Sequence, residues 1–321
     1  MARESPVVET LRVFGTPRLS QWRYLYCNSN IVNIVPRRAL SATRAADLLN
    51  YLAAHPDEPL SYSELSSRLG INHASTHNLL MALTECGYLS RDPKNRTFSL
   101  GAALVAIGDA ALRENPIVDE LRIEMAKLAK ELDIGAVALV RAGGDALCIA
   151  RAGPRRAQVD PPEVGQRIPI MAPLASVFAA WSPEKEVDQW LLRGSTSEDE
   201  QQRSREILER VRNRGYSVAL EVPGRRRLGG LIAELAEDPH SVVLRNQLHR
   251  TIGELGRASY QLREVDGQKQ SISTITAPVF DRHGEVSAAV SLQVFARALD
   301  PSGVAAIGDR LLEMARSISR S

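Results

Sequence analysis

The 321-residue chain lacks the features that mark several classes of protein. Its three cysteines, Cys27, Cys86 and Cys148, lie far apart and form no CxxC pair, so neither a disulfide framework nor a zinc site is predicted. No run approaches the ~18 apolar residues of a membrane-spanning helix, and the N-terminus has no signal-peptide apolar region. We therefore expect a protein of the reducing cytoplasm without a membrane partner.

Motifs of catalysis and cofactor binding are also missing. HExxH and GxSxG do not occur, and GRRRLGGL, which begins at Gly224, resembles a phosphate loop but lacks the Lys-Ser/Thr that would grip phosphate and magnesium. The histidines have no metal-ligand spacing beyond His73 and His77, which alone would bind a metal weakly. We expect no catalytic residue, metal or cofactor, and keep a small-molecule enzyme only as a minor alternative.

An excess of charge of one sign is absent from the chain as a whole. The formal net charge is +2, which permits nucleic-acid binding without arguing for it. Residues 1–38 differ, because they carry six arginines against two glutamates. This basic N-terminal extension is interpreted either as an arm that follows the DNA backbone or as a loosely ordered leader.

The most informative stretch that is present runs from Ser61 to Leu100. Ser61 and Glu64 form the pattern of a capping box, and Gly70 ends that short helix. A second helix is predicted after Asn72, with Leu79, Leu80 and Leu83 on its buried face. Two such helices predict a helix-turn-helix whose second helix enters the DNA major groove. Its predicted DNA-binding residues are Asn72, His73, Ser75, Thr76, His77 and Asn78.

A β-hairpin is predicted directly after these helices. Strand-like segments flank the turn sequence Asp92-Pro93-Lys94-Asn95, which is typical of the wing of a winged helix. Arg91, Lys94 and Arg96 would contact phosphates there, although such charges are also common on solvated loops. With a supporting helix at 42–54, the predicted DNA-binding domain spans 39–101.

The rest of the chain is predicted to be a linker and an α+β domain. Residues 102–133 form linker helices with a hinge at Asn115-Pro116 and a surface on which chains can pair. Residues 134–321 contain strands at 136–141, 146–151, 216–222, 271–280 and 286–295, with helices that include 170–181 and 302–319. This grouping favours an antiparallel sheet with a cavity, as in a sensor.

The chain resembles the IclR family of transcriptional regulators over nearly all of residues 40–319. The likeness lies in YLSRDPKNRTFSLG, in GQRIPIMAPLASVFAAW, and in NRGYSVALE with ITAPVFDRHGEVSAAVSLQV. The resemblance implies a winged helix, a linker helix and a GAF-like effector-binding domain, assembled as a homodimer or as a dimer of dimers. We expect a sequence-specific repressor that binds a double-stranded DNA operator, or alternatively a sensor that has lost specific DNA binding.

Three departures from the family pattern carry further expectations. Asn78 replaces the usual arginine of the recognition helix, which favours contact with adenine. Met171, Pro173 and Val177 replace His, Thr and Lys in the effector loop, so we expect a larger or more apolar effector than a small organic acid. The segment at about 224–270 is an insertion, interpreted as a cover over the cavity, an oligomer contact or a solvated excursion. The predicted effector-binding residues are Leu147, Met171, Ala172, Leu220, Ile272, Thr274 and Leu292.

Overall fold

The computed structural model describes residues 39–56, 58–154, 162–195, 197–237, 241–257, 268–293 and 298–319. The predicted extension at 1–38 lies outside these residues.

The N-terminal elements form a winged helix. Their order is α1 (Leu40–Ala54), β1 (Leu60–Ser61), α2 (Tyr62–Arg68), α3 (His73–Glu85), β2 (Leu89–Arg91) and β3 (Thr97–Leu100). The strands form a three-stranded antiparallel sheet in the order β1-β3-β2. Leu48, Leu65, Leu80 and Phe98 meet in one apolar core, which fixes α3 against the other helices and the wing.

Local capping explains why α2 and α3 begin where the sequence predicts. The Ser61 side chain accepts a hydrogen bond from the backbone N–H of Glu64, and the Glu64 carboxylate accepts one from the Ser61 backbone N–H at 2.7 Å. At α3 the Asn72 side chain accepts from the Ser75 N–H at 2.9 Å. Both bonds satisfy helix N–H groups that have no partner within the helix.

Two helices connect the winged helix to the C-terminal domain. Helix α4 (Ala103–Glu114) contains no buried residue, whereas α5 (Pro116–Leu132) buries Leu121, Met125, Leu128 and Ala129. The break between them is at Asn115-Pro116, because Pro116 supplies no N–H to continue the hydrogen bonding of α4.

The C-terminal domain is built on a six-stranded antiparallel sheet in the order β6-β5-β4-β9-β8-β7. Its strands are β4 (Gly135–Ala142), β5 (Asp145–Ala152), β6 (Arg167–Pro169), β7 (Ser217–Leu220), β8 (Ile272–Phe280) and β9 (Val286–Gln293). Its helices are α6 (Ser176–Ala180), α7 (Glu184–Gly194), α8 (Glu198–Arg214), α9 (Pro223–Glu237), α10 (Val242–Arg257) and α11 (Pro301–Ile318). Helices α5 and α11 pack in one core with strand residues such as Val290 and Leu292, and α6 to α8 pack in a second core with residues such as Ala289.

The predicted α+β class, with its winged helix-turn-helix and antiparallel sheet, is confirmed. The predicted helix at 170–181 is wrong in its first half, since only Ser176–Ala180 is helical. Pro173 lacks an N–H and disfavours helical geometry at Ala172. Strand β1 was not predicted, because two residues give no periodicity.

Candidate nucleic-acid interface and ligand cavity

Helix α3 presents a small polar face to solvent at its N-terminal half. His73, His77 and Asn78 are exposed there, whereas Thr76, Leu80 and Leu83 are buried. This division follows from the three- and four-residue spacing of a helix with one face in the core. The exposed residues belong to the part of the helix that contacts base edges in a helix-turn-helix.

Three of the predicted DNA-binding residues are buried, half-buried or used in capping α3. Thr76 has no exposed surface, and its hydroxyl donates to the Asn72 carbonyl at 3.1 Å, so its place among the base contacts is corrected. Asn72 is exposed, but its side-chain oxygen is used in capping. Ser75 is half-buried. The exposed set therefore narrows to His73, His77 and Asn78, with the Asn72 amide beside them.

Tyr62 anchors the start of the recognition helix, a role that the sequence did not suggest. Its hydroxyl donates to the His73 carbonyl at 2.5 Å, and its ring centroid lies 5.4 Å from that of His73 and 6.4 Å from that of His77. Tyr62 is the first residue of α2. The contact therefore fixes the second helix of the motif to the first.

The wing carries three exposed cations around a turn that is held by Asp92. Its carboxylate accepts from the backbone N–H groups of Lys94 at 2.8 Å and Asn95 at 3.3 Å, and these bonds hold the pKa of Asp92 below its ordinary value. Arg91, Lys94 and Arg96 are all exposed, as predicted for phosphate contacts. The Arg91 guanidinium also lies 5.8 Å from the centre of the Phe98 ring, which restricts its position.

The C-terminal domain contains a cavity of about 290 Å³ between the sheet and its covering helices. Strand side chains form its floor, residues 174–178 form one wall, and the start of α9 forms another. Cross-strand register places Ser217, Thr276 and Ser291 side by side on β7, β8 and β9. A second row contains Ala219, Thr274 and Gln293. The lining is therefore largely polar on the strand side.

Only Thr274 of the seven predicted effector-binding residues lines this cavity. Leu292 and Leu220 pack with the core of α5 and α11, because alternate residues of a strand point to opposite faces. Ile272 packs there too, because a register shift leaves Ser273 as an extra residue of β8 between Ile272 and Thr274. Leu147 is likewise next to a lining residue, Ala146, but is not one itself.

The two loop residues among the seven, Met171 and Ala172, also do not line the cavity. Met171 packs among the apolar side chains of α9 and α10, and Ala172 packs with Phe178 and Trp190. The strands supply Ser and Thr to the lining, although the loop at 169–178 has lost the polar residues of the family pattern. The expectation of a larger or more apolar effector stays a prediction.

Helix α9 contributes the cavity's charged residues, together with Glu221 just before it. The Glu221 carboxylate accepts from Nε of Arg226 at 2.6 Å, while Arg225 is half-buried at the cavity wall. The insertion therefore covers the cavity in part, which was one of its three interpretations. Among the described residues no group of three or more His, Cys, Asp or Glu side chains is arranged to hold a metal ion. None of the described helices is long and apolar enough to cross a membrane.

Two family models match the chain. The IclR helix-turn-helix domain matches residues 41–93, and the bacterial transcriptional regulator IclR C-terminal domain matches residues 239–320. The HTH-type transcriptional regulator XynR of Escherichia coli (strain K12) is 21% identical over 88% of this chain and 96% of its own length.

Solved structures show the same fold. An IclR transcriptional regulator from Alicyclobacillus acidocaldarius has a TM-score of 0.61 and 21% identity, covering 88% of this chain and 98% of that one. An IclR homolog complexed with 4-hydroxybenzoate, from Microbacterium hydrocarbonoxydans, has a TM-score of 0.54 and 17% identity, covering 87% of this chain and 98% of that one.

A winged helix with an exposed recognition face, followed by linker helices and a sheet domain with a cavity, defines a DNA-binding transcriptional regulator. The two domain models and the relatives indicate an IclR-family transcriptional regulator, and the members of that family are transcriptional regulators and not enzymes.

Proposed function

We propose that this protein is a cytoplasmic repressor that binds a palindromic operator as a homodimer and responds to a small molecule in the C-terminal cavity. The observation that carries the proposal is the exposed face of His73, His77 and Asn78 on α3, beside the wing cations Arg91, Lys94 and Arg96. Two such faces in a dimer would read two half-sites.

The readout that we propose separates base contacts from phosphate contacts. Asn78 is exposed on the first half of α3 and can pair bidentately with adenine N6 and N7. Lys94 and Arg96 at the wing supply charge that attracts phosphates of any sequence. The fixed turn at Asp92 and the Tyr62 contact with His73 reduce the ordering that DNA binding would otherwise require.

The effector would act through a segment that touches both the cavity and the winged helix. Pro162 and Gln166 line the cavity, and between them Gly165 lies so close to α1 that a Cβ on it would be 3.1 Å from the Cα of Ala54. A ligand that contacts Gln166 can therefore favour one placement of α1 over another. It changes DNA affinity only by its different affinities for the two placements.

The proposal is tested by selecting randomised duplex DNA with the purified full chain at physiological salt. An enriched palindrome with two half-sites is expected. Salt-sensitive binding without enrichment would contradict the proposal and favour a sensor that has lost specific DNA binding.

Paired substitutions then test the readout. Asn78→Ala should cost about 1–3 kcal/mol on the selected site and relax the preference at particular bases. Lys94→Ala should weaken binding to all sequences alike and reduce the slope of log affinity against log salt by about one. Fluorescence anisotropy on the selected duplex and on single-base variants measures both effects. An unchanged base preference in Asn78→Ala would remove Asn78 from the readout.

A further inference from the structure

Polar side chains that the fold buries are concentrated around one cavity. Of the eleven buried polar or charged side chains among the described residues, seven line it. They are Ser176, Ser217, Ser273, Thr274, Thr276, Ser291 and Gln293. Packing of the core does not explain why these polar side chains are gathered in one place, because each buried hydroxyl or amide costs free energy unless it is hydrogen-bonded.

Most of these groups have no hydrogen-bond partner in the part of the protein that the structure describes. Thr276 and Ser291 bond to each other at 2.8 Å. For the side chains of Ser217, Ser273, Thr274 and Gln293, no described protein group donates or accepts a hydrogen bond. Water or a ligand in the cavity can satisfy them, so the floor fits a ligand with several hydroxyl groups along its length.

The first turn of α9 adds positive charge at the edge of this floor. Arg225, Arg226 and Arg227 lie where a helix favours anions, and this turn contains no acidic residue. Arg226 pairs with Glu221 at 2.6 Å, and Arg227 pairs with Glu254 at 3.9 Å. Arg225 has no acidic partner among the described residues, although it is half-buried and lines the cavity.

The charges that line the cavity are Glu221, Arg225 and Arg226, which leave one positive charge in excess. One carboxylate on the ligand would balance this excess and would be the anion that Arg225 lacks. A volume of about 290 Å³ lies at the lower end of small-molecule sites, so the ligand is small.

We propose that the effector is a small monocarboxylate of a polyhydroxylated chain, an acid of the sugar-acid type. Its hydroxyls bond to the rows on β7, β8 and β9, and its carboxylate pairs with Arg225. This inference rests on the proposed function, in which the same cavity holds the effector.

Isothermal titration calorimetry of the purified full chain tests the ligand class. The acid probes are gluconate, galactonate and ribonate, with glucitol as the neutral counterpart of gluconate. Hexanoate is the carboxylate without hydroxyls, and 4-hydroxybenzoate is the aromatic acid. At least one of the three hydroxylated acids should bind, while hexanoate should not. Glucitol should bind about tenfold or more weakly than gluconate if gluconate is the preferred acid, because a charged hydrogen bond is lost.

Matched variants assign the contacts. Arg225→Gln should lower affinity for the bound acid about tenfold or more, whereas Arg227→Gln, two residues further along α9 and outside the cavity lining, should leave it unchanged. Thr274→Val keeps the side-chain volume and removes the hydroxyl, so it should also lower the affinity for the acid. Thermal unfolding without ligand confirms that each variant is folded.

Three results would overturn the assignment. These are no binding of any hydroxylated acid, hexanoate or 4-hydroxybenzoate binding in their place, and equal effects of Arg225→Gln and Arg227→Gln. If 4-hydroxybenzoate or hexanoate bound and released the selected operator, the proposed regulator would stand and only the ligand class would be wrong. If a hydroxylated acid bound while no operator was enriched, the ligand class would stand and the proposed regulator would be wrong.

Discussion

At the scale of single residues, Cys148 shows how burial controls reactivity. Its side chain has no exposed surface, and its Sγ can donate to the carbonyl of Ala150 at 3.7 Å or to that of Pro162 at 3.5 Å. Burial raises the pKa of the Cys148 thiol to about 12. At pH 8 about one molecule in ten thousand would carry the thiolate, which is the reactive form.

We therefore expect iodoacetamide at pH 8 to alkylate the exposed Cys86 and to leave Cys148 unmodified until the protein is denatured. Peptide mass mapping measures both sites in one sample. Because the thiol holds its proton more tightly in the folded protein, this residue's contribution to stability is full below its ordinary pKa of 9.0 and declines as pH rises toward 12. Rapid labelling of native Cys148 would contradict its burial.

The sequence predicts the exposure of a residue well where that exposure depends on one local periodicity. His73, His77 and Asn78 are exposed on α3 because the helix period assigns them to the face opposite Leu80 and Leu83. The cavity residues were mostly missed. Their identification requires knowing which face of each strand is covered by α9. The alternation of a strand separates its residues into two faces but does not indicate which face lines the cavity.

At the scale of elements, α11 packs on the sheet through a position that tolerates no side chain. A Cβ added at Gly308 would lie 2.2 Å from Cζ of the buried Tyr216 ring. Either the ring or the helix must shift to accept it. The close approach fixes α11 against the strand that begins at Ser217.

Gly308→Ala should destabilise the protein by about 1–3 kcal/mol through overpacking. Gly230→Ala is the matched control, because it is also a helix substitution but meets no atom within 4 Å. That control should be neutral or should stabilise by about 0.5–1 kcal/mol, since alanine favours a helix over glycine. Urea unfolding of the full chain compares the two. Equal effects would mean that α11 is not held through Gly308.

Elements with strong local signals matched their predicted bounds closely. The capping box at Ser61 and Glu64 and the turn at Asp92 depend on neighbouring residues, so the sequence contains the whole interaction. Residues 170–175 and helix α9 depend on distant packing instead. Met171 and Leu174 pack against Leu228 and Leu231 of α9, and no window of sequence contains both partners.

At the scale of the whole molecule, helix α4 is not buried by the part of its own chain that the structure describes. It has twelve residues and none of them is buried, and Val105 and Ile107 are 74% and 48% exposed. Isolated helices of this length are marginal in water, and exposed apolar surface of this kind marks an interaction site. The proposed partner is the α4 of a second copy, which also agrees with two winged helices reading one palindrome.

We therefore expect Val105→Glu combined with Ile107→Glu to convert a dimer to a monomer, as measured by sedimentation equilibrium. Glutamate favours a helix more than valine does, so the substitution should remove the partner without unfolding α4 on propensity grounds. Val243→Glu on α10 is the control, because Val243 is 65% exposed and should leave the dimer intact. A monomer presents one recognition helix, so the double variant should also lose its preference for two half-sites over one. A double variant that stays dimeric, or a control that dissociates, would move the subunit contact away from α4.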